Sequence, residues 1–173
     1  MAQKQTEAVV IGAGPAGYVC AIRLAQLGVK TAIVEKGTYG GVCLNWGCIP
    51  SKAFIHMAKV YEEMQHAAEF GINVSGITLD AKKMQAWKEG VVKQLTGGVQ
   101  QLLKANKVDI ITGEAKFKDA NTLVVETEEG TTELGFQRAV VATGGRPIEI
   151  PGFAIDNETV LGAKGALAFE ETP

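Results

Sequence analysis

The chain is poor in cysteine and histidine, three and two in 173 residues, and carries no large surplus of either charge. Seventeen basic against nineteen acidic side chains give −2 at pH 7 and a pI near 5.8, leaving no basic excess to neutralise nucleic-acid phosphates. No apolar run approaches membrane-spanning length, so neither a nucleic acid nor a membrane is an expected partner. Met1–Glu7 lacks the charged-then-apolar plan of a secretory signal, and no internal repeat is present. A reducing compartment, the cytoplasm, is therefore expected, where a thiol pair reads as catalysis rather than as a structural staple. His56 and His66 read as ordinary helix residues. What remains, 46% hydrophobic and 21% charged, is the composition of one soluble domain.

Two of the cysteines stand in one short run, Gly40-Gly41-Val42-Cys43-Leu44-Asn45-Trp46-Gly47-Cys48-Ile49-Pro50-Ser51-Lys52. Four residues between thiols suit a dithiol/disulfide switch better than a zinc site, and no metal is expected. Five steps along an ideal helix rise roughly 7.5 Å, too far for a disulfide. One cysteine must then sit in the loop preceding the helix, or the first turn must be distorted, and Gly47 gives the slack. Pro50 suits a first turn, which puts Cys48 at a helix N-terminus, a position that favours a thiolate. Cys20, on an apolar stretch, reads as a small buried hydrophobe. Trp46 either shields the pair, lines a cofactor pocket or simply packs.

Residues 8–14 form an apolar run closing on Gly12-Ala13-Gly14, and Gly17 completes Gly-x-Gly-x-x-Gly ahead of a helical pattern that stops at Gly28. Thr31–Val34 reads as a second buried strand, ending at Glu35. This βαβ unit has the form of a dinucleotide site: Gly12 and Gly14 allow the turn and close pyrophosphate approach, Gly17 allows helix–strand packing, and the helix N-terminus supplies unpaired N–H donors for phosphate. Glu35 suits a ribose diol and repels a 2′-phosphate, which favours FAD or NAD over NADP.

Further along, helical spacing covers Ala53–Phe70 with a stop at Gly71. A long helix is expected from an Asp80 N-cap to about Asn106, interrupted by Gly97-Gly98. Val108–Phe117, Thr122–Thr127 and Thr131–Leu134 read as strands, the last two as a hairpin, and Arg138–Thr143 as another apolar strand. The fold class expected is α/β: a Rossmann-like domain with a parallel sheet, flanking helices and an antiparallel hairpin layer, over residues 1–150. Residues 151–173 read as a connector, with only Ala166–Phe169 suggesting a docking contact.

The cysteine segment resembles the active-site disulfide of the pyridine nucleotide-disulfide oxidoreductases. Leu44-Asn45-Trp46-Gly47-Cys48-Ile49-Pro50-Ser51-Lys52 is worded like the branch that oxidises dihydrolipoyl groups, whereas glutathione reductases end on Val-Pro-Lys-Lys and mercuric reductases share more of the wording. The resemblance implies bound FAD at the N-terminal fingerprint, with NAD⁺ as co-substrate on a later domain. It implies Cys43 as the outer interchange thiol, Cys48 as the inner thiol in charge-transfer contact with the flavin, and Lys52 as the lysine near its ring. Unaided by the motif, Lys52 reads as a solvated helix residue. Cofactor contacts carried over are Gly12, Gly14, Pro15, Ala16, Gly17, Glu35, Lys36, Gly40, Gly41, Val42, Cys43, Cys48, Lys52, Ala115, Thr143 and Gly144. Val42 replaces a common Thr, and Gly145 a common Ser.

The resemblance also implies parts not found in these residues: an NAD domain, a Gly-Asp segment for the flavin ribityl and phosphate, and an interface domain with a His–Glu pair. The chain then reads as the first part of a longer homodimeric enzyme serving the dihydrolipoyl groups of 2-oxoacid dehydrogenase complexes, inactive alone, with Glu170-Glu171-Thr172-Pro173 near the start of the NAD domain. Alternatives are a mercuric or glutathione-type flavin disulfide reductase, or a non-catalytic FAD- or nucleotide-binding module.

Overall fold

Glycine and proline punctuate the chain where its elements change. The computed structural model describes residues 2–156 and 158–169. In order it contains β1 (Ala2–Gln5), β2 (Ala8–Ile11), α1 (Pro15–Gln26), β3 (Thr31–Glu35), α2 (Gly41–Trp46), α3 (Cys48–His66), α4 (Ala81–Ala105), β4 (Asp109–Thr112), β5 (Glu114–Asp119), β6 (Thr122–Thr127), β7 (Gly130–Gly135), β8 (Arg138–Val141) and α5 (Ala163–Ala166). They form two compact units, one from the residues up to Cys43 with Leu95–Arg146, the other from Leu44–Gln94 with the residues from Pro147 on.

The first unit holds two four-stranded sheets. One is parallel, in the order β4-β3-β2-β8, with Ala8–Ile11 in register with Thr31–Val34 on one side and Arg138–Val141 on the other. Its two central strands carry the apolar runs Ala8–Ile11 and Ala32–Val34, as a sheet covered on both faces requires, and Val9, Val10, Ala32 and Ile33 are fully buried. Helix α1 begins on Pro15, whose missing N–H is harmless in a first turn, and the chain turns away at Gly28 with φ +82°. The second sheet runs β1-β7-β6-β5, antiparallel except that β1 lies parallel to β7. Val9, Ile11, Val34 and Ile111 of the parallel sheet pack with Leu123, Val125, Leu134 and Phe136 to make the core.

Two expectations need correction here, and one strand had no expectation at all. The single strand expected over 108–117 is two strands in different sheets: β4 pairs with β3 and β5 with β6, and the chain passes between them at Gly113. A Cβ on Gly113 would stand 2.4 Å from the Glu126 carbonyl oxygen, so only glycine fits the crossing. Strand β1 was not foreseen, because Ala-Gln-Lys-Gln carries no apolar alternation. Gly97-Gly98 does not interrupt α4, and an added Cβ at either glycine would meet nothing within 4 Å among the described residues. The roughly 1 kcal/mol helix penalty of each glycine is outweighed by burial of Val99 and Leu103 nearby. The protected side of α4 runs through Lys88, Val99 and Leu103, while Trp87 and Leu102 are exposed.

In the second unit, α3 ends in a 3₁₀ turn over Ala67–Phe70, closed by Gly71 at φ +81°. The expected N-cap of α4 is present, with Asp80 accepting the Lys83 N–H at 3.0 Å; that bond, ahead of the Lys83 ammonium, holds the Asp80 carboxyl below its ordinary range. The docking contact expected over Ala166–Phe169 is also present: the Phe169 ring lies 4.9 Å from that of Phe54, and Gln85 donates to the Phe169 carbonyl. The connector's Asn157 and Glu170-Glu171-Thr172-Pro173 lie outside the described residues. Among the described residues no helix is long and apolar enough to cross a membrane.

Candidate functional site

At the C-terminal ends of the parallel strands the first unit opens a crevice of about 220 Å³, lined by Ile11, Gly12, Val34, Glu35, Lys36, Gly113, Glu114, Ala115 and Thr143. This is where open α/β sheets hold ligands. It is smaller than the roughly 300–1,000 Å³ of a complete drug-sized site, so it suits one portion of a dinucleotide.

The glycine turn beside it is packed to contact. A Cβ on Gly12, which has φ +101°, would stand 2.3 Å from the Ala142 carbonyl oxygen, and one on Gly17 would stand 1.8 Å from the Gly12 carbonyl oxygen. These two glycines are required by the protein's own backbone. Gly14 differs: it has φ −72°, and the nearest atom to an added Cβ is Gly41 Cα at 3.8 Å. The fold leaves room there for a side chain, so the sequence's use of glycine at 14 points to something that approaches from outside.

Glu35 closes β3 and is held firmly. Its carboxylate accepts the Ala13 N–H at 2.6 Å on one oxygen and the Gly37 N–H at 2.7 Å on the other. Each oxygen retains a lone pair, which is what a vicinal diol needs. Lys36 pairs with Glu114 across the rim at 3.2 Å. The Gly40 N–H donates to the Ala13 carbonyl at 2.8 Å, and Gly40 and Gly41 have φ +92° and +55°, so the second glycine pair folds back onto the first.

Tyr39, missed in the sequence, is 7% exposed between these turns. Burial pushes its phenol above the ordinary value, the Thr112 hydroxyl pulls it back, and the Glu35 carboxylate adds to the rise. Only its place beside Gly40 could have signalled it.

The cysteines follow. Cys43 lies on α2, and Gly47, with φ −140° and ψ −113°, breaks the helix so that α3 starts afresh on Cys48. Both are thiols outside any disulfide; Cys43 is half-buried and Cys48 exposed. The break expected between them is therefore present, as a new helix rather than a loop, and Cys48 occupies the expected first turn, where N–H groups lack carbonyl partners. Ser51 returns both its N–H and its hydroxyl to the Gly47 carbonyl, at 3.1 and 2.6 Å, fixing that turn. Lys52 is exposed one turn on. Trp46 is half-buried, with the Lys164 ammonium 5.6 Å from its ring centroid.

Of the residues expected at the cofactor, the crevice gathers Gly12, Glu35, Lys36, Ala115 and Thr143, and adds Ile11, Val34, Gly113 and Glu114. Gly14, Pro15, Ala16, Gly17, Gly40, Gly41, Val42, Cys43 and Gly144 belong to the same unit without lining it, whereas Cys48 and Lys52 belong to the other unit. Cys20 is not the buried hydrophobe expected: it is half-buried beside Val19 and Leu24 in an open groove on α1. His66 sits 3.1 Å from the Glu69 carboxylate as an exposed surface pair.

Comparison with known proteins gives the same outline. The chain is 54% identical over 169 residues to the dihydrolipoyl dehydrogenase of Geobacillus stearothermophilus and 53% identical to that of Bacillus subtilis, covering 98% of itself and 36% of each relative. It thus spans about a third of the length of these curated relatives. Among solved structures, the HOCl-induced flavoprotein disulfide reductase RclA from Escherichia coli matches with a TM-score of 0.77 at 29% identity, over 97% of this chain and 35% of that one. LpdA from Mycobacterium tuberculosis shares the fold, with a TM-score of 0.86 at 23% identity over 95% of this chain and 38% of that one. The family profile described as pyridine nucleotide-disulphide oxidoreductase matches residues 6–173, and the chain belongs to that family.

Proposed function

We propose that this chain is the FAD-binding, redox-disulfide part of a dihydrolipoyl dehydrogenase, which oxidises dihydrolipoyl groups of 2-oxoacid dehydrogenase complexes with NAD⁺ as acceptor. The observation that carries the reading is the break at Gly47, which starts α3 on Cys48 and sets the second cysteine apart from the helix that bears Cys43. Residues 1–150 are assigned to the flavin part and 151–173 to a connector toward an NAD-binding domain, in a homodimeric cytoplasmic parent.

The residues present fit a flavin dinucleotide. Glu35 is poised for the ribose diol, Gly14 leaves the cradle that an added Cβ would fill, and Ala115 and Thr143 line the crevice. The remaining contacts are assigned to Gly12, Pro15, Ala16, Gly17, Lys36, Gly40, Gly41, Val42 and Gly144, with Cys43, Cys48 and Lys52 at the reacting end. When bound, FAD supplies a two-electron carrier between the dithiol and the nicotinamide.

Cys43 is the thiol that exchanges with the substrate's sulfur. Cys48 is the inner thiol, and it opens the first turn of α3, whose leading N–H groups have no carbonyl partner within the helix. Lys52, one turn later, adds a positive charge on the same helix.

The experiment is reconstitution followed by a half-reaction. Purified chain is mixed with FAD, its spectrum recorded, and the oxidised Cys43–Cys48 pair titrated with dihydrolipoamide or with glutathione. Expected are bound flavin and faster reduction by dihydrolipoamide. Absence of flavin binding, or a preference for glutathione, overturns the reading.

A further inference from the structure

Lys88 is the one buried charged side chain among the described residues, 5% exposed, and nothing in the proposed chemistry uses it. Its ammonium meets three things: the Glu89 carboxylate at 2.6 Å, the Leu167 carbonyl at 3.1 Å, and the Phe54 ring, whose centroid is 5.8 Å away. A lysine so placed is a fastener. It joins α4, on which it sits, to α3 through Phe54 and to the segment after α5 through Leu167.

That segment is fastened twice more. Gln85 donates to the Phe169 carbonyl, and the Phe169 ring stacks at a tilt on Phe54. At its other end, Lys164 of α5 stands over the indole of Trp46. Gly162–Phe169 thus touches the chain on both sides of Cys48: at Trp46, two residues before it, and at Phe54, six residues after it. Lys164 and Phe169, five residues apart, thus reach the last residue of α2 and the second turn of α3.

We propose that Gly162–Phe169 is a positioning strap for the start of α3, with Lys88 as its latch and Lys164 as the residue that orients Trp46, which lies in sequence between the two cysteines of the redox pair. This rests on the assignment of Cys43 and Cys48 as that pair. Neither lysine touches the reacting atoms. Both act through aromatic side chains that bracket Cys48, and so fix the turn at Gly47 from which α3 starts.

The test needs no flavin, so its failure is distinct from failure of the functional reading, which rests on flavin binding and dihydrolipoamide. Lys164→Gln, Lys164→Arg, Lys88→Met and Phe169→Ala are made in the whole chain with Trp87→Phe, leaving Trp46 as the only tryptophan. Three readouts follow: Trp46 emission, the alkylation rate of Cys48 by peptide mapping, and the dithiol–disulfide equilibrium in glutathione buffers. Met keeps the packing of Lys88 and strands no charge, since Glu89 is exposed.

Lys164→Gln is expected to shift Trp46 emission and change the alkylation rate about two- to fivefold, with Lys164→Arg restoring both. Lys88→Met and Phe169→Ala are expected to move the equilibrium in the same direction as each other. If Lys88→Met fails to fold, Lys164→Gln and Phe169→Ala decide. Unchanged emission, alkylation and equilibrium in the folded variants would overturn the strap.

Discussion

Gly12 and Ala142 are packed so closely that a single methyl on the glycine would stand 2.3 Å from the alanine's carbonyl oxygen. The contact ties the turn after β2 to the end of β8, and Gly12 holds it in a left-handed conformation that side chains avoid. Gly12→Ala is therefore expected to destabilise the chain by at least about 2 kcal/mol. Gly14→Ala, two residues on, has room and is expected to cost under about 1 kcal/mol while weakening FAD binding markedly. Urea unfolding with flavin-fluorescence titration of both variants checks the contrast; equal stability losses would refute it.

Glu35 serves the fold in addition to the ligand role proposed for it. Glu35→Ala removes the acceptor of the Ala13 and Gly37 N–H groups and is expected to cost about 1–3 kcal/mol even without flavin. Glu35→Gln keeps one carbonyl oxygen and should lose less. Thermal melts with and without FAD separate the two roles: the difference between melts shrinks if the diol contact is lost as well.

Tyr39 supplies a signature at alkaline pH. Its folded value lies above the ordinary phenol value of 10.0, so the native state favours the neutral ring. That contribution is whole below about pH 10, the unfolded value, and is lost as pH rises through the folded one. Phenolate absorbance should show a late-titrating tyrosine that disappears in Tyr39→Phe, and the variant's stability should fall less steeply above pH 10.

Leu123 and Leu134 face each other across β6 and β7 and are fully buried. Leu123→Ala is expected to cost about 2–5 kcal/mol, because the opposed parallel sheet prevents collapse into the gap. Chemical denaturation with an unchanged m-value would verify that the loss is in the packing.

Much of this was legible because punctuation residues announce themselves locally. Gly12, Gly17 and Pro15 sit where the turn and helix start require them, and Asp80 and Gly71 mark helix ends that the structure keeps. Cys48 at a helix start was read from Pro50 and Gly47 alone. What stayed hidden depends on partners distant in sequence. Strand β1 is polar and exists through its pairing with β7; the chain changes sheets at Gly113 because of Glu126, thirteen residues away. Leu102 and Leu103 are equally apolar, so periodicity could not tell which faces inward. A lysine buried at position 88 contradicts every pattern rule, since its partners are a carbonyl from the far end of the chain and an aromatic ring on another helix.

The passage of one ribbon through Gly113 from the parallel sheet into the antiparallel one has a mechanical meaning. The crevice wall formed by Gly113, Glu114 and Ala115 is a shared seam, so neither layer can shear without dragging the other. A guest wedged there acts as a rivet through both, and its arrival should stiffen the amides of β6 and β7 even though it need never touch them.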